Sequence, residues 1–189
     1  MATAPAFVLH PDLEDARRQI EAIRAEVRVL TGPLTDLQMN WRAGEGQWSI
    51  AECIGHLTVS AHLFLPVVAE AIAKGIPGTG EFRYGRFENW VIGKIGKRGG
   101  FKVKAPKDWQ PPKEQSREEC LRAFESAHAT VLARIVESNG LHLRRTRVRH
   151  PAIPLLTYSL CGIFRMTAAH CRRHLAQAQE VRAAAGFPR

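Results

Sequence analysis

Thr167-Ala-Ala-His170-Cys-Arg-Arg-His174-Leu-Ala-Gln177 is the stretch from which the rest of this 189-residue chain can be read. It sits inside a longer line of positions: Leu156, Leu160, Ile163, Thr167, His170, His174, Gln177 and Val181. Their steps of three and four predict one face of a helix running from about Leu155 to Ala185. That core-facing line turns polar for the segment that holds the two histidines. Polar groups on a buried line cost stability unless something compensates them, and a shared metal ion would be such compensation. His170 and His174 are four residues apart, just over one turn, so both rings leave the same face of the helix.

Three more stripes lie upstream. From Asp12 to Leu30 the apolar positions are Leu13, Ala16, Ile20, Ile23, Val27 and Leu30, with Asp12 placed to cap the start and Thr31-Gly32-Pro33 to stop it. The polar face of that helix carries Arg17, Arg18, Glu21, Arg24 and Arg28, read as solvated charge. Trp48-Ser49-Ile-Ala-Glu52-Cys-Ile-Gly-His56-Leu57 opens the second helix. Ser49 and Glu52 have the spacing of a capping box, and Trp48 precedes them as a staple onto Cys53. Ile50, Cys53, Leu57, Ser60 and Phe64 continue the stripe with His56 on its flank, and Pro66 is expected to bend the helix before Lys74-Gly75. Ser116 and Glu119 repeat the capping spacing ahead of Leu121, Phe124, His128, Val131 and Ile135, a third helix that ends at Asn139-Gly140.

Between the second and third helices, Ile76 to Pro112 is irregular and rich in Gly, Pro and Lys/Arg, with a short helix expected around Phe87 to Ile95. A connection this long commonly has a job, and this one is placed to cover the mouth of a site between helices. Its glycines do not form a phosphate loop, because no strand precedes them and no Gly-Lys-Ser/Thr follows. Leu141 to Pro154 reads as a basic loop; alternation around Leu143 to Val148 imitates a strand but finds too few partners for a sheet. Four long amphipathic helices without convincing strands make an all-α four-helix bundle. It is read as a single domain over residues 1–189, with a long irregular connection between helices 2 and 3.

A chain with 45% apolar and 24% charged residues has the mix of an ordinary globular protein and can bury a core without staples. Cys53, Cys120, Cys161 and Cys171 show no metal or redox spacing and read as free, buried thiols. Cys53 or Cys171 as ligand or nucleophile is the sharper alternative, but on a helix Cys171 points about 100° away from His170. The start, Met1 to His10, lacks the pattern of a secretory signal. The apolar stretch Ala61 to Ala73 contains His62, Pro66 and Glu70, too short and too polar to span a bilayer. A cytoplasmic protein without a membrane segment is expected. The net charge of +9 permits anionic partners and decides none of them.

His56, His170 and His174 offer three neutral imidazoles, a donor set for a borderline divalent ion such as zinc or nickel. Three protein ligands leave a position open, which leans toward catalysis or substrate binding rather than a closed structural site. An H-x-x-x-H pair alone is weak, since helices contain many by chance and Cys171 stands where the H-E-x-x-H protease motif has its glutamate. Its position on the stripe, with a third histidine beside the stripe of another helix, is what strengthens it. His128, on an apolar line, reads first as a core histidine satisfied by a neighbour.

Longer patterns carry a resemblance. Trp41 lies upstream of Gly46-Gln-Trp48-Ser-Ile-Ala-Glu52-Cys-Ile-Gly-His56-Leu57, His150-Pro151 precedes the last helix, and Ala169-His170-Cys-Arg-Arg-His174-Leu-Ala-Gln177 lies within it. In order and spacing these resemble the W-S-x-x-E-x-x-x-H-L and H-x-x-x-H-x-x-Q patterns of the DinB-like (DinB/YfiT-like) superfamily of metal-dependent four-helix-bundle proteins, over nearly the whole chain. The resemblance implies that His56, His170 and His174 are a metal triad and that the ion is nickel or zinc. It also implies a low-molecular-weight thiol cofactor, such as bacillithiol or mycothiol, in related branches. Despite the family's name it implies no DNA polymerase.

The expected function is a metal-dependent enzyme acting on a small molecule, either a thiol-dependent S-transferase or a hydrolase. Gln177 is placed to hydrogen-bond a ligand or a histidine, and Arg144, Arg145 and Arg147 to steer an anionic substrate or thiol. Catalytic side chains beyond the metal site are not readable. Two other classes stay open: a non-catalytic interaction module ordered by its metal, and a nucleic-acid-binding protein using the basic loops. The last is weakest, because no reading motif is present and only Phe101 and Trp109 stand among the basic residues. Stripes of this kind also suit a homodimer.

Overall fold

A side chain caps the start of each long helix. In the computed structural model, which describes residues 8–97, 105–153 and 155–189, the elements run α1 (Pro11–Thr31), α2 (Asp36–Asn40), α3 (Ile50–Ala73) and α4 (Arg86–Gly96). A 3-10 turn (Lys107–Trp109), α5 (Arg117–Glu137), β1 (Arg147–Arg149), β2 (Thr157–Ser159) and α6 (Leu160–Ala183) follow. Ser49 and Glu52 form the complete capping box: Ser49 Oγ accepts from the Glu52 N–H at 3.1 Å and Glu52 accepts from the Ser49 N–H at 2.9 Å. At α5 the box is half closed. Ser116 Oγ accepts from the Glu119 N–H at 3.2 Å, while the Glu119 carboxylate takes the Ser116 hydroxyl proton instead of its amide. At α1 the cap is His10 rather than Asp12, its Nδ1 accepting from the Asp12 N–H at 3.3 Å with Pro11 filling the first turn.

The apolar stripes then meet. Leu13, Ile20, Ile23 and Val27 of α1, Ile50, Ile54 and Leu57 of α3, Phe124 and Ile135 of α5, and Leu160, Ile163 and Phe164 of α6 are almost entirely removed from solvent in one core. The main packing partners of α3 are α5 and α6, and those of α1 are the same two helices. α1 and α3 therefore lie across one bundle diagonal and α5 and α6 across the other, while α3 and α5 are neighbours. Crossing a diagonal needs more chain than the tight loop between antiparallel neighbours, and the connections 32–49 and 138–159 supply it. Arg28 is exposed, as expected of solvated charge, and Arg24 is half-buried; both reach across from α1 to Glu125 of α5, at 2.6 Å and 2.7 Å. By length and composition α3 is apolar enough to cross a membrane, contrary to the expectation from its second half; here α5 and α6 pack against it.

Two departures come from the last connection. The alternation around Leu143 to Val148 does form a strand, because β1 finds its one partner in β2: Arg147 pairs with Ser159, Val148 with Tyr158 and Arg149 with Thr157, antiparallel. Val148 and Tyr158 face the core, which fixes the register. Since 157–159 are strand, α6 starts at Leu160 and not near Leu155, with Ser159 Oγ accepting from the Gly162 N–H at 3.0 Å.

The short helix anticipated around Phe87 to Ile95 is α4, and it is fastened along α6. Glu88 accepts from the Ser159 N–H at 2.6 Å and from its hydroxyl, Arg165 donates to Asn89 at 2.6 Å, and Gly96 comes against Ala169. Of the connection Ile76 to Pro112, expected to cover a site's mouth, residues 98–104 lie outside the described residues.

His128 is fully buried, as a core histidine. Its Nδ1–H donates to the Phe124 carbonyl at 2.9 Å, so Nε2 accepts from the Cys171 thiol at 3.4 Å. Burial pushes its pKa down to about 4 and the Cys171 thiol up to about 12.

Two outcomes test this packing. A Cβ on Gly162 would lie 2.7 Å from the capping Ser159 Oγ and collide with Glu88. Gly162→Ala should therefore lower stability by about 1–2 kcal/mol, read as a Tm loss of roughly 2–8 °C for a chain of this size. The second is a pH effect. Unfolded, His128 takes up a proton near pH 6.5; folded, it does so only near 4. Its contribution is whole above 6.5 and is lost as pH falls toward 4. Urea melts at pH 7 and pH 5 should show that His128→Leu removes about 2 kcal/mol of the wild-type loss between them.

Candidate metal centre

His56 faces α6 from the second turn of α3 because α3 and α6 are neighbours and the capping box sets where α3 begins. There it meets His170 and His174. One candidate ligand atom from each ring lies within 4.8 Å of the other two. The His56 and His170 Nε2 atoms are 3.3 Å apart, and the ring centroids are 5.1 Å (56–170), 4.7 Å (56–174) and 4.7 Å (170–174) apart. His56 and His174 are buried, and His170 is the most exposed residue of the three.

Each of the two buried rings has its other nitrogen engaged. His56 Nδ1 donates to the Trp109 carbonyl at 2.7 Å, and His174 Nδ1 donates to Gln177 Oε1 at 3.1 Å. With Nδ1 carrying the proton, Nε2 is left as a lone-pair donor, which is how an outer partner orients a ligating histidine. Burial lowers the pKa of His56, with the Arg173 charge adding to it. Burial takes His170 well below its ordinary value, helped by His174, His56 and Arg173. The rings of His56 and His170 are therefore neutral at pH 7, the state a metal needs. Three imidazoles with convergent nitrogens fit a divalent transition ion.

The walls come from three places. Trp48, just before the α3 cap, lies 4.9 Å from the His56 ring and stacks at 5.6 Å on His174, so the residue expected to staple the helix also covers the histidines. Its loop is held by Arg42, which binds the buried Glu52 carboxylate through two nitrogens at 2.8 Å and 2.9 Å. Trp109 belongs to the connection between helices, and its ring is stacked at 5.4 Å on His150 while Phe64 meets both edge-on. Gly55, beside His56, lets that connection close in: a Cβ there would be 2.6 Å from Gln115 Nε2 and 3.2 Å from Pro111.

Among the sequence candidates, His56, His170 and His174 are brought together and Gln177 bonds one of them. His128 and Cys171 pair with each other in the core, Cys53 is buried, and Arg144, Arg145 and Arg147 are exposed on the connection that carries the hairpin. Arg147 binds the Thr157 carbonyl at 3.0 Å. Two contributors escaped the sequence reading. The Arg173 charge was in view, between the histidines, but had been assigned no role. The Trp109 carbonyl has no side-chain signature at all.

Comparison with known proteins follows the same lines. The profile of the DinB superfamily matches residues 19–178. No curated protein matches the sequence. Among solved structures, the chain is similar to YfiT from Bacillus subtilis, described as a probable metal-dependent hydrolase with an unusual four-helix bundle topology. The TM-score is 0.60 at 14% identity, over 99% of this chain and 95% of that one. Agreement at that identity concerns the fold, whereas the profile spans most of the sequence: this chain belongs to the DinB superfamily.

Proposed function

We propose that the protein is a metal-dependent enzyme acting on a small molecule, with His56, His170 and His174 holding a nickel or zinc ion. The observation that carries this reading is the cluster itself: three imidazoles with convergent nitrogens, two of them oriented through Nδ1 by Trp109 and Gln177. A divalent ion held by three ligands supplies Lewis acidity and lowers the pKa of a water or thiol at its open position.

The chain's own residues do the rest. Trp48 keeps water from two of the rings, and Arg173 places positive charge beside the cluster, which favours an anionic substrate or thiolate. Hydrolysis is the reaction to test first, supported by the description given to the similar YfiT; a thiol-dependent S-transferase is the same site with a low-molecular-weight thiol in place of water. The setting we propose is cytoplasmic, with no membrane or nucleic acid as partner, in a single-domain chain or its homodimer.

Elemental analysis of untagged protein should find about one nickel or zinc per chain, and His174→Ala should carry none; metal persisting at the wild-type ratio in that variant refutes the triad. Chelation separates enzyme from structural module. An enzyme-type site should lose its activity to a chelator with a Tm drop of only a few degrees, whereas a metal that mainly orders the fold should take most of the stability with it.

A further inference from the structure

One turn of α3 beyond His56, a cavity of about 30 Å³ lies between α3, α5 and α6. Its walls are mostly apolar, Leu57, Phe64, Val131 and Ile163 among them, and His170 forms part of the lining. Ser60 lines it too. That residue is 5% exposed, and its hydroxyl makes no hydrogen bond. Neighbouring hydroxyls show how a helix normally satisfies such a group: Thr58 donates to the Ile54 carbonyl at 3.3 Å and Thr167 to the Ile163 carbonyl at 2.9 Å. Ser60 does not, although the carbonyl four residues back, that of His56, is in its own helix.

A buried hydroxyl with nothing to bond is costly, and native structures hold few of them. The space takes roughly two water-sized groups. Water itself fits poorly, because it needs two to four polar partners and, among the described residues of the lining, Ser60 alone has a fully buried side-chain oxygen or nitrogen without a hydrogen bond. An amphipathic group fits better: carbon against the apolar wall and one polar atom against Ser60. Ser60 follows His56 by four residues, about 6 Å along the helix axis, a span matched by a chain of about three carbons with a terminal oxygen.

We propose that this cavity is the subsite for a short hydroxyalkyl chain carried by an anionic head group bound at the histidine cluster, with Ser60 hydrogen-bonding the terminal hydroxyl. The proposal rests on the metal reading above and names what that site would select. Sites built to bond a hydroxyl discriminate strongly against the analogue that lacks it, since their own polar atom is then left unpaired.

The test uses cobalt-loaded full-length protein, its metal content measured first, titrated anaerobically with 1-propanethiol and 3-mercapto-1-propanol while the thiolate-to-metal absorption band is followed. Wild type should bind the hydroxylated thiol roughly tenfold more tightly. Ser60→Ala should erase that difference while keeping its affinity for 1-propanethiol, and Ala61→Leu, which fills the cavity, should weaken both. Equal affinities in metal-loaded wild type, or a preference that survives Ser60→Ala, overturn the subsite and leave the metal reading standing. Protein that takes up no cobalt overturns the metal reading, and the subsite with it.

Discussion

Three imidazoles pressed together at the seam of α3 and α6 are the constraint around which the bundle is arranged. Burial strips water from the rings and makes protonation expensive, so His56 and His170 are held neutral. Neutral rings must still place both nitrogens. The structure answers for one nitrogen on each buried ring, through the Trp109 carbonyl and the Gln177 amide, and leaves the Nε2 atoms to converge. A donor set so arranged gains from a cation and has no comparable use for an apolar filler.

The diagonal topology is what makes that seam available. Joined by tight turns, α1 would sit beside α3 and α5 beside α6, and consecutive stripes would bury one another. Here connections 32–49 and 138–159 carry α1 to α3 and α5 to α6 across the bundle, so α3 pairs with the last helix in the chain. Those connections are not spare length. One carries Trp48 and Arg42, which close one side of the cluster; the separate connection between the neighbours α3 and α5 carries Trp109, whose carbonyl sets the tautomer of His56. The hairpin connection carries His150, which stacks on Trp109 and so steadies the same carbonyl.

Along α3 the functional features follow the helical repeat. Glu52 closes the cap and binds Arg42, His56 lies one turn on, Ser60 one turn further, and Phe64 completes the line under Trp109 and His150. Each step of four residues turns the line by about 40°, so successive members are neighbours while the line winds around the helix. One winding row of α3 thus anchors the covering loop, offers a candidate ligand and lines the adjoining cavity, which ties the stability of the cap to the geometry of the cluster.

Local chemistry was legible without coordinates. The Ser49 and Glu52 box, the three-four stripes, the short helix within the irregular connection, and the shared face of His170 and His174 all follow from rules that act over four residues or fewer, where the chain's own geometry leaves little choice. Pairings between distant parts were not legible in this way. The strand at Arg147–Arg149 needed Thr157–Ser159 as partner, Arg24 and Arg28 needed Glu125, and the His10 cap displaced the expected Asp12. The Trp109 carbonyl and the unpartnered Ser60 hydroxyl depend on atoms that every sequence contains or that look ordinary in it. Their meaning comes from what packs against them, and only the tertiary structure decides that.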